Sequence, residues 1–203
     1  MALHRRILSL LPLLALAPRA GLGDRARVGE VSDVTGEAEA HFSGGPPRAL
    51  SPAAALLMDD LIRTGASARL VGLLEGGIEI RLGERASLRV DALTLRGPRT
   101  GVALRVFDGP VLYDRPPQRM PTPVTMTLPW ARIGVRGTRF FAGPLDGRYA
   151  VFVARGRVEV EAAGVRRDLA AGDGVDVPEI GAPPGPVVRW GEPRVARAMA
   201  LVA

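Results

Sequence analysis

Hydrophobic and polar residues alternate along most of the chain, in short runs separated by turn residues. The run IEIRL (78–82) puts its apolar residues on one face, and ARIGVR (131–136) and RVEVE (157–161) repeat the pattern. Alternation with a period of two predicts β-strands that bury one face. Glycine and proline recur between the runs at the roughly eight-to-twelve-residue spacing that is typical of all-β domains.

We therefore expect an all-β fold, with one β-domain over residues 28–178 that is solenoid-like or sandwich-like and has short antiparallel strands. Two loops interrupt it, SGGPPR (43–48) and DRPPQRMPTP (114–123), and the prolines of the second prevent regular ladder pairing. A helical period appears only in PRVARAMALVA, so residues 179–203 are predicted to form a tail with a short helix.

The alternation loses its phase at Gly137. Before it Ile133 and Val135 share a face, and after it Phe140 occupies the other parity. One inserted residue would re-phase the strand so that all three point inward, which is the definition of a β-bulge. Glycine takes the positive φ of a bulge at low cost. We expect Thr138 to hydrogen-bond the backbone groups that the bulge leaves unpaired.

An arginine beside this bulge suggests an ion pair. The planar guanidinium of Arg136 can pair with a carboxylate or cap several carbonyl groups. We interpret it as a staple between the bulge and a loop, through Asp59 or Asp60. The alternative is an outward-facing, solvated arginine.

The first twenty residues resemble a signal peptide. They combine Arg5 and Arg6 with an apolar run and small residues before Ala20. The run is shorter than the roughly 20 residues of a membrane-spanning helix. We predict export to the periplasm by the Sec or the twin-arginine route. Cleavage would remove Arg5, Arg6 and Arg19, and so lower the formal net charge from +6 to +3.

Composition narrows the chemistry further. The chain has 203 residues, 47% of them hydrophobic, and its 27 basic residues are all arginine. Without arginine clusters interleaved with aromatic residues we expect no nucleic-acid partner. Without cysteine the fold depends on core packing alone, and no zinc site with cysteine ligands can form.

No catalytic constellation stands out, and we expect no enzyme, cofactor or metal. His41 is the one histidine after the leader, and no serine lies in a G-x-S-x-G context. Asp59 and Asp60 are adjacent and would face opposite ways on a strand. Asp173 and Asp176 flank a turn, where they could help to bind a hard cation or serve as ordinary turn acids.

Four segments, in order, resemble the FecR domain family. They are DLIRTG (60–65), LVGLLEGGIEIRLG (70–83), IGVRGTRF (133–140) and VARGRVEV (153–160), and LAAGDGVDV (169–177) is similar to the usual end of the domain. The motif residues expected to have structural roles are Asp60, Ile62, Arg63, Thr64, Gly65, Val135, Arg136, Gly137, Thr138, Phe140, Gly156 and Val158.

The resemblance implies a periplasmic β-domain that acts by binding other proteins. The best-known members relay a signal from an outer-membrane siderophore receptor to a cytoplasmic sigma factor, through an anti-sigma segment and a membrane helix. Here we expect only the predicted leader to precede the β-domain. We therefore expect a free-standing module for interaction or signalling, with no transmembrane segment in the mature chain.

The partner is expected to be an envelope or periplasmic protein. Loop 114–123, with Arg115 and Arg119 exposed, is the predicted interface, because loops on a rigid sheet often carry recognition. The alternative function is a sensor that binds a small ligand or a glycan on aromatic platforms. Trp130 and Trp190 would supply the platforms, although both suit a core equally well.

Overall fold

The computed structural model describes residues 25–97, 100–117 and 122–203. The predicted leader and Arg119 lie outside these ranges. The described part contains sixteen strands and one helix. The strands are β1 Arg27–Thr35, β2 Ala38–His41, β3 Arg48–Ala49, β4 Ala55–Leu57, β5 Leu61–Thr64, β6 Arg69–Leu74, β7 Ile78–Leu82, β8 Ser87–Thr94, β9 Gly101–Asp108, β10 Val111–Asp114, β11 Val124–Thr127, β12 Arg132–Leu145, β13 Arg148–Ala162, β14 Val165–Ala170, β15 Asp173–Val177 and β16 Val188–Arg189; the helix α1 is Glu192–Ala200.

All sixteen strands belong to one curled sheet, so the all-β prediction is confirmed. The main path of paired strands runs β3-β2-β5-β8-β9-β11-β12-β10-β7-β6-β1-β4. Outside this path, β13 pairs with β12, β14 and β15, and β16 pairs with β15. Pairing is antiparallel except between β9 and β11, which are parallel. β12 and β13, with 14 and 15 residues, are longer than the short strands that the sequence predicts.

The order of the strands forces the sheet to curl. β1 and β2 lie near opposite ends of the path, yet only Gly36 and Glu37 separate them in sequence. Three Cα–Cα steps of 3.8 Å span at most about 11 Å, so the two ends of the path must approach each other. The connection from β4 to β5 crosses the same seam. Apolar side chains from both sides fill the space within the curl and form the main core.

The predicted bulge at Gly137 is confirmed, and it proves to be a corner. β12 pairs with β11 before the bulge and with β10 after it. The neighbouring strand β13 pairs with β15 before Gly156 and with β14 after it. Strands that change layers do so through bulges or bends. Ile133, Val135 and Phe140 are all buried in one core, as the re-phasing requires.

Three adjacent strand segments turn at this corner, each through a glycine with positive φ. The values are +57° at Gly137, +84° at Gly156 and +87° at Gly172. The register of β12 and β13 is the same on both sides, Val135 opposite Val158 and Phe140 opposite Val153. The extra residue in β12 is therefore compensated in β13, and both strands exchange their inward and outward faces together.

Thr138 does not have the role predicted for it. Its side chain is fully buried, and its hydroxyl has no hydrogen-bond partner among the described residues. The methyl group instead packs against Gly156, where an added Cβ would lie 2.6 Å from Thr138 Cγ2. The Thr138 carbonyl accepts a hydrogen bond from the Arg115 backbone N–H at 3.0 Å. Thr138 therefore closes the corner by packing.

A second, smaller core lies on the outside of the curl. Leu112, Phe141 and Phe152 point outward and are covered by Trp190 and by residues of the C-terminal helix region, including Ala198. The segment 179–203 thus contributes β16 to the sheet and α1 to this outer core. None of the described helices has the length and apolar character needed to cross a membrane.

Substitution at Gly156 should cost far more stability than the same change at Gly137. Alanine at either position must adopt positive φ, at about 1 kcal/mol. At Gly137 an added Cβ meets nothing within 4 Å, whereas at Gly156 it collides with the Gly137 carbonyl oxygen and the Thr138 methyl. We expect a loss of about 1 kcal/mol for Gly137→Ala and about 3 kcal/mol for Gly156→Ala in urea unfolding. Equal losses would contradict a close-packed corner.

Candidate functional site

Asp60 is the most deeply buried carboxylate at the seam. Its side chain is 1% exposed and accepts hydrogen bonds from Arg25 Nη1 at 2.5 Å and Arg48 Nη2 at 2.6 Å. The backbone N–H of Leu57 donates to the same carboxylate at 3.3 Å. One carboxylate therefore joins the segment that leads into β1, the edge strand β3 and the end of β4. The group is a structural staple across the seam.

Thr64, like Asp60, holds separate segments of the chain together. Its hydroxyl donates to the Gly83 carbonyl at 2.6 Å and accepts from the Ala86 N–H at 2.8 Å. These contacts fix the loop between β7 and β8 to the end of β5. Ile62 is buried and Arg63 is exposed on the same strand, and the Gly65 N–H donates to the Glu37 carbonyl. The segment DLIRTG thus organises two crossings of the seam.

The predicted staple from Arg136 concerns a side chain outside the described residues, so it stays a prediction. Both oxygens of Asp60 are held by Arg25 and Arg48. Asp59 has a positive φ of 64°, and its N–H donates to the Val90 carbonyl at 3.2 Å.

The prediction that Arg115 is exposed is wrong. Its side chain is only 5% exposed, because it follows β10 into the corner beside the buried Tyr113. Arg119, the other residue of the predicted interface, lies outside the described residues. The role of loop 114–123 as an interface therefore stays a prediction, but Arg115 does not present its side chain to solvent there.

The carboxylates singled out at the C-terminal turn are bound to arginines. Asp173 accepts hydrogen bonds from the Ala170 N–H at 2.9 Å and from Arg189 at 3.1 Å, and these bonds hold its pKa below its usual value. Asp176 pairs with Arg194 at 2.6 Å. His41 lies 3.1 Å from Glu39 on β2. These contacts stabilise strands and turns.

Both tryptophans are core residues. Trp130 is 5% exposed and stacks on Tyr149, with ring centroids 5.1 Å apart. Trp190 is 8% exposed and stacks on Phe152 at 5.0 Å. Gly174 leaves room for the Trp190 ring, which any Cβ there would overlap. Neither ring offers the open aromatic platform that a glycan site requires.

An open groove of about 820 Å³ crosses four strands beside the corner. One row of it is formed by Thr125, Gly134, Glu159 and Asp168, which are paired from β11 to β14. The neighbouring row of valines and Leu169 faces the core. Gly134 adds depth, because a Cβ there would meet only Glu159 Cβ, at 3.9 Å. The groove therefore has a backbone floor between charged walls.

The walls of this groove are charged. Arg157, Glu159 and Asp168 are exposed. Among the described residues Arg157 and Asp168 make no ion pair, and the Glu159 carboxylate lies 4.0 Å from Arg166 Nε. Sequence reasoning missed this groove. Gly134 was its one visible signal, since glycine within a strand often marks the close approach of another group.

The model of the family described as FecR protein matches residues 60–159, from the seam staple to the groove. The chain contains a FecR domain. The matched range begins at Asp60 and includes the corner glycines Gly137 and Gly156. The resemblance predicted from the sequence motifs is confirmed.

Solved structures support the fold of this FecR domain. Two crystal structures of a proposed anti-sigma factor from Parabacteroides distasonis are similar, with TM-scores of 0.56 and 0.55 at 16% and 17% sequence identity. In each case the match covers 67% of this chain and 62% of the solved chain. The chain thus spans about three fifths of the length of those proteins. No curated protein matches the sequence significantly.

Removal of the Asp60 charge should destabilise the FecR domain strongly. Asp60→Asn would leave two guanidinium groups at the seam without their carboxylate, and we expect a loss of about 3 kcal/mol in urea unfolding. Asp91 is a matched control, because it also binds two arginines, Arg89 and Arg105, at 2.6 and 2.8 Å. It is 21% exposed and its partners are more so. Asp91→Asn should cost below about 1 kcal/mol. Similar losses for both variants would contradict the staple.

Tyr113 should make the domain less stable at alkaline pH. Burial raises its pKa to about 12, although the nearby Arg115 opposes the shift. Because unfolded tyrosine ionises near pH 10, stability is fully present below that pH and is lost as pH rises from about 10 to 12. The loss should approach about 3 kcal/mol at pH 12. Urea unfolding between pH 8 and 11.5 should show this loss, and Tyr113→Phe should remove it. An equal decline in both proteins would contradict the assignment.

Proposed function

We propose that the chain is an exported regulatory module that acts in the periplasm, without catalysis, by binding a protein partner. The observation that carries this proposal is the FecR match over residues 60–159. A signalling or regulatory role is the common ground of that family match and of the anti-sigma relationship suggested for the two solved structures.

The non-enzymatic part of the proposal is supported by the structural contacts of the acidic side chains. Asp60 joins three segments at the seam, and Asp173 and Asp176 hold the C-terminal segment through Arg189 and Arg194. Each carboxylate that the sequence singled out and that forms an ion pair is thus used to stabilise the fold.

Binding of a partner is supported by the outer surface of the sheet. The groove beside the corner has exposed charges of both signs, Arg157 against Glu159 and Asp168, on a rigid four-strand floor. Arg157 and Asp168 make no ion pair with the described residues, and exposed charges of this kind favour recognition of a complementary surface. Export is supported by the basic start and the apolar run of residues 1–20.

The proposal can be tested in the host cell with a C-terminally tagged full chain. We expect a mature form in the periplasmic fraction, shorter by about twenty residues in its intact mass. Formaldehyde cross-linking should trap a discrete heteromeric species. Replacing Arg5 and Arg6 with glutamine should keep the chain in the cytoplasm with its leader attached.

Different results would contradict different parts of the proposal. A tagged chain that stays in the cytoplasm at full length would remove export. A periplasmic chain that remains monomeric under cross-linking, across growth conditions, would remove partner binding. A reaction that purified protein catalyses, and that is lost on changing one acidic residue, would remove the non-enzymatic assignment.

A further inference from the structure

β14 is the longest open edge of the sheet in the described part of the chain. Four strands there have a single neighbour, and β3, β4 and β16 among them have only two or three residues. β14 has six residues, Val165–Ala170, and pairs with β13 alone. A strand edge presents N–H and C=O groups that can pair with another extended segment.

The direction of the backbone groups on β14 can be read from its hydrogen bonds. The Ala170 N–H donates to Asp173 Oδ2 at 2.9 Å, so it is not directed at β13. Because the N–H and C=O groups of alternate residues face the same edge, Arg166 and Asp168 share this outward direction. The Arg166 carbonyl accepts from Arg167 Nη1 at 3.0 Å. The peptide groups of Asp168 therefore lie at the centre of the open edge.

The arginines of β14 are engaged within their own chain. Charged residues commonly protect an edge strand against pairing. Here Arg166 Nε lies 3.1 Å from a Glu161 carboxylate oxygen, and Arg167 Nε donates to the Gly185 carbonyl at 3.2 Å. Asp168 is exposed and makes no ion pair with any described residue. The open edge thus carries one negative charge that has no ion-pair partner among the described residues.

The groove beside the corner reaches this edge. Asp168, Leu169 and Ala170 line one end of it, and Glu159 stands next to Asp168 across the strands. A segment paired with β14 would have room there for a long side chain. Glu159 lies 4.0 Å from Arg166 Nε, and Arg157 lines the other part of the groove, so Asp168 is the carboxylate at this end that would favour a cation from a partner.

We propose that the outer edge of β14 binds an extended segment of a protein partner, which adds a strand to the sheet and seats a lysine or arginine against Asp168. Main-chain hydrogen bonds would give affinity, and the charge would give specificity. This inference rests on the proposed binding of a partner and names its surface and chemistry.

A second copy of the chain fits this edge less well. In an antiparallel pair of β14 strands, residues that lie opposite each other point to the same face of the sheet. The register that brings Arg166 opposite Asp168 also brings Arg167 opposite Arg167 of the other copy. Like charges directly opposite each other destabilise a strand pair.

The test places the photo-cross-linking residue p-benzoylphenylalanine at Ala170 of the full chain in its host cell. The matched control position is Arg148, which is exposed at the start of β13, away from β14. We expect an adduct at position 170 only, with the attachment mapped by mass spectrometry to an extended segment that contains lysine or arginine. Asp168→Arg should lower the yield of this adduct roughly tenfold.

A proline variant separates binding from folding. Asp168→Pro removes an N–H that faces away from β13, so the urea midpoint should stay within error while the adduct is lost. Arg167→Pro should lower the midpoint, because that N–H belongs to the ladder with β13. An adduct unaffected by Asp168→Arg or Asp168→Pro would overturn the inference, and so would an adduct formed with a second copy of this chain.

Failure of this surface and failure of the proposed function give different results. If partners cross-link at Arg148 or at other exposed positions but not at Ala170, the β14 edge is wrong and partner binding stands. If no exposed position yields an adduct, both are wrong.

Discussion

The positive φ shared by Gly137, Gly156 and Gly172 is the constraint on which the rest of the structure depends. Adjacent strands can turn a corner together only if each turns at the same level, and here each does so through a glycine. The corner exchanges the faces of β12 and β13, so the valines before it and Phe140 after it enter one core. It also divides the outward surface into a part covered by α1 and a part that holds the groove.

Ion pairs stabilise the fold in addition to the corner, and the burial of each pair determines how much stability it contributes. Asp60 and Asp91 each hold two arginines at nearly equal distances, but Asp60 is 1% exposed and Asp91 is 21% exposed. Water screens the second group, whereas the first is shielded at the seam, where the ends of the strand path meet. A chain whose basic residues are all arginine suits this arrangement, since the guanidinium can bridge a carboxylate and a carbonyl at once.

How much the sequence predicts depends on the range of the interactions concerned. The re-phasing at Gly137 is local, because a period of two and one glycine suffice to predict it. The burial of Arg115 is not a local property, because it follows from the pairing of β10 with the part of β12 after the bulge. The partners of Asp60 come from positions 25 and 48, a choice that only the closed seam determines. The groove depends on the register of four consecutive strands, β11 to β14, which places residues from positions 125 to 168 in one row, and the sequence alone does not give that register.

The open edge at β14 is itself a consequence of the corner. β14 and β15 run along the same side of β13, separated only by the turn at Gly172, whose N–H still donates to the Val153 carbonyl at 2.7 Å. They are in effect one strand bent in the middle. Because the bend directs the two halves differently, β16 can pair with β15 without reaching β14. The glycine that closes the core is thus also the residue that leaves Asp168 at an unpaired edge.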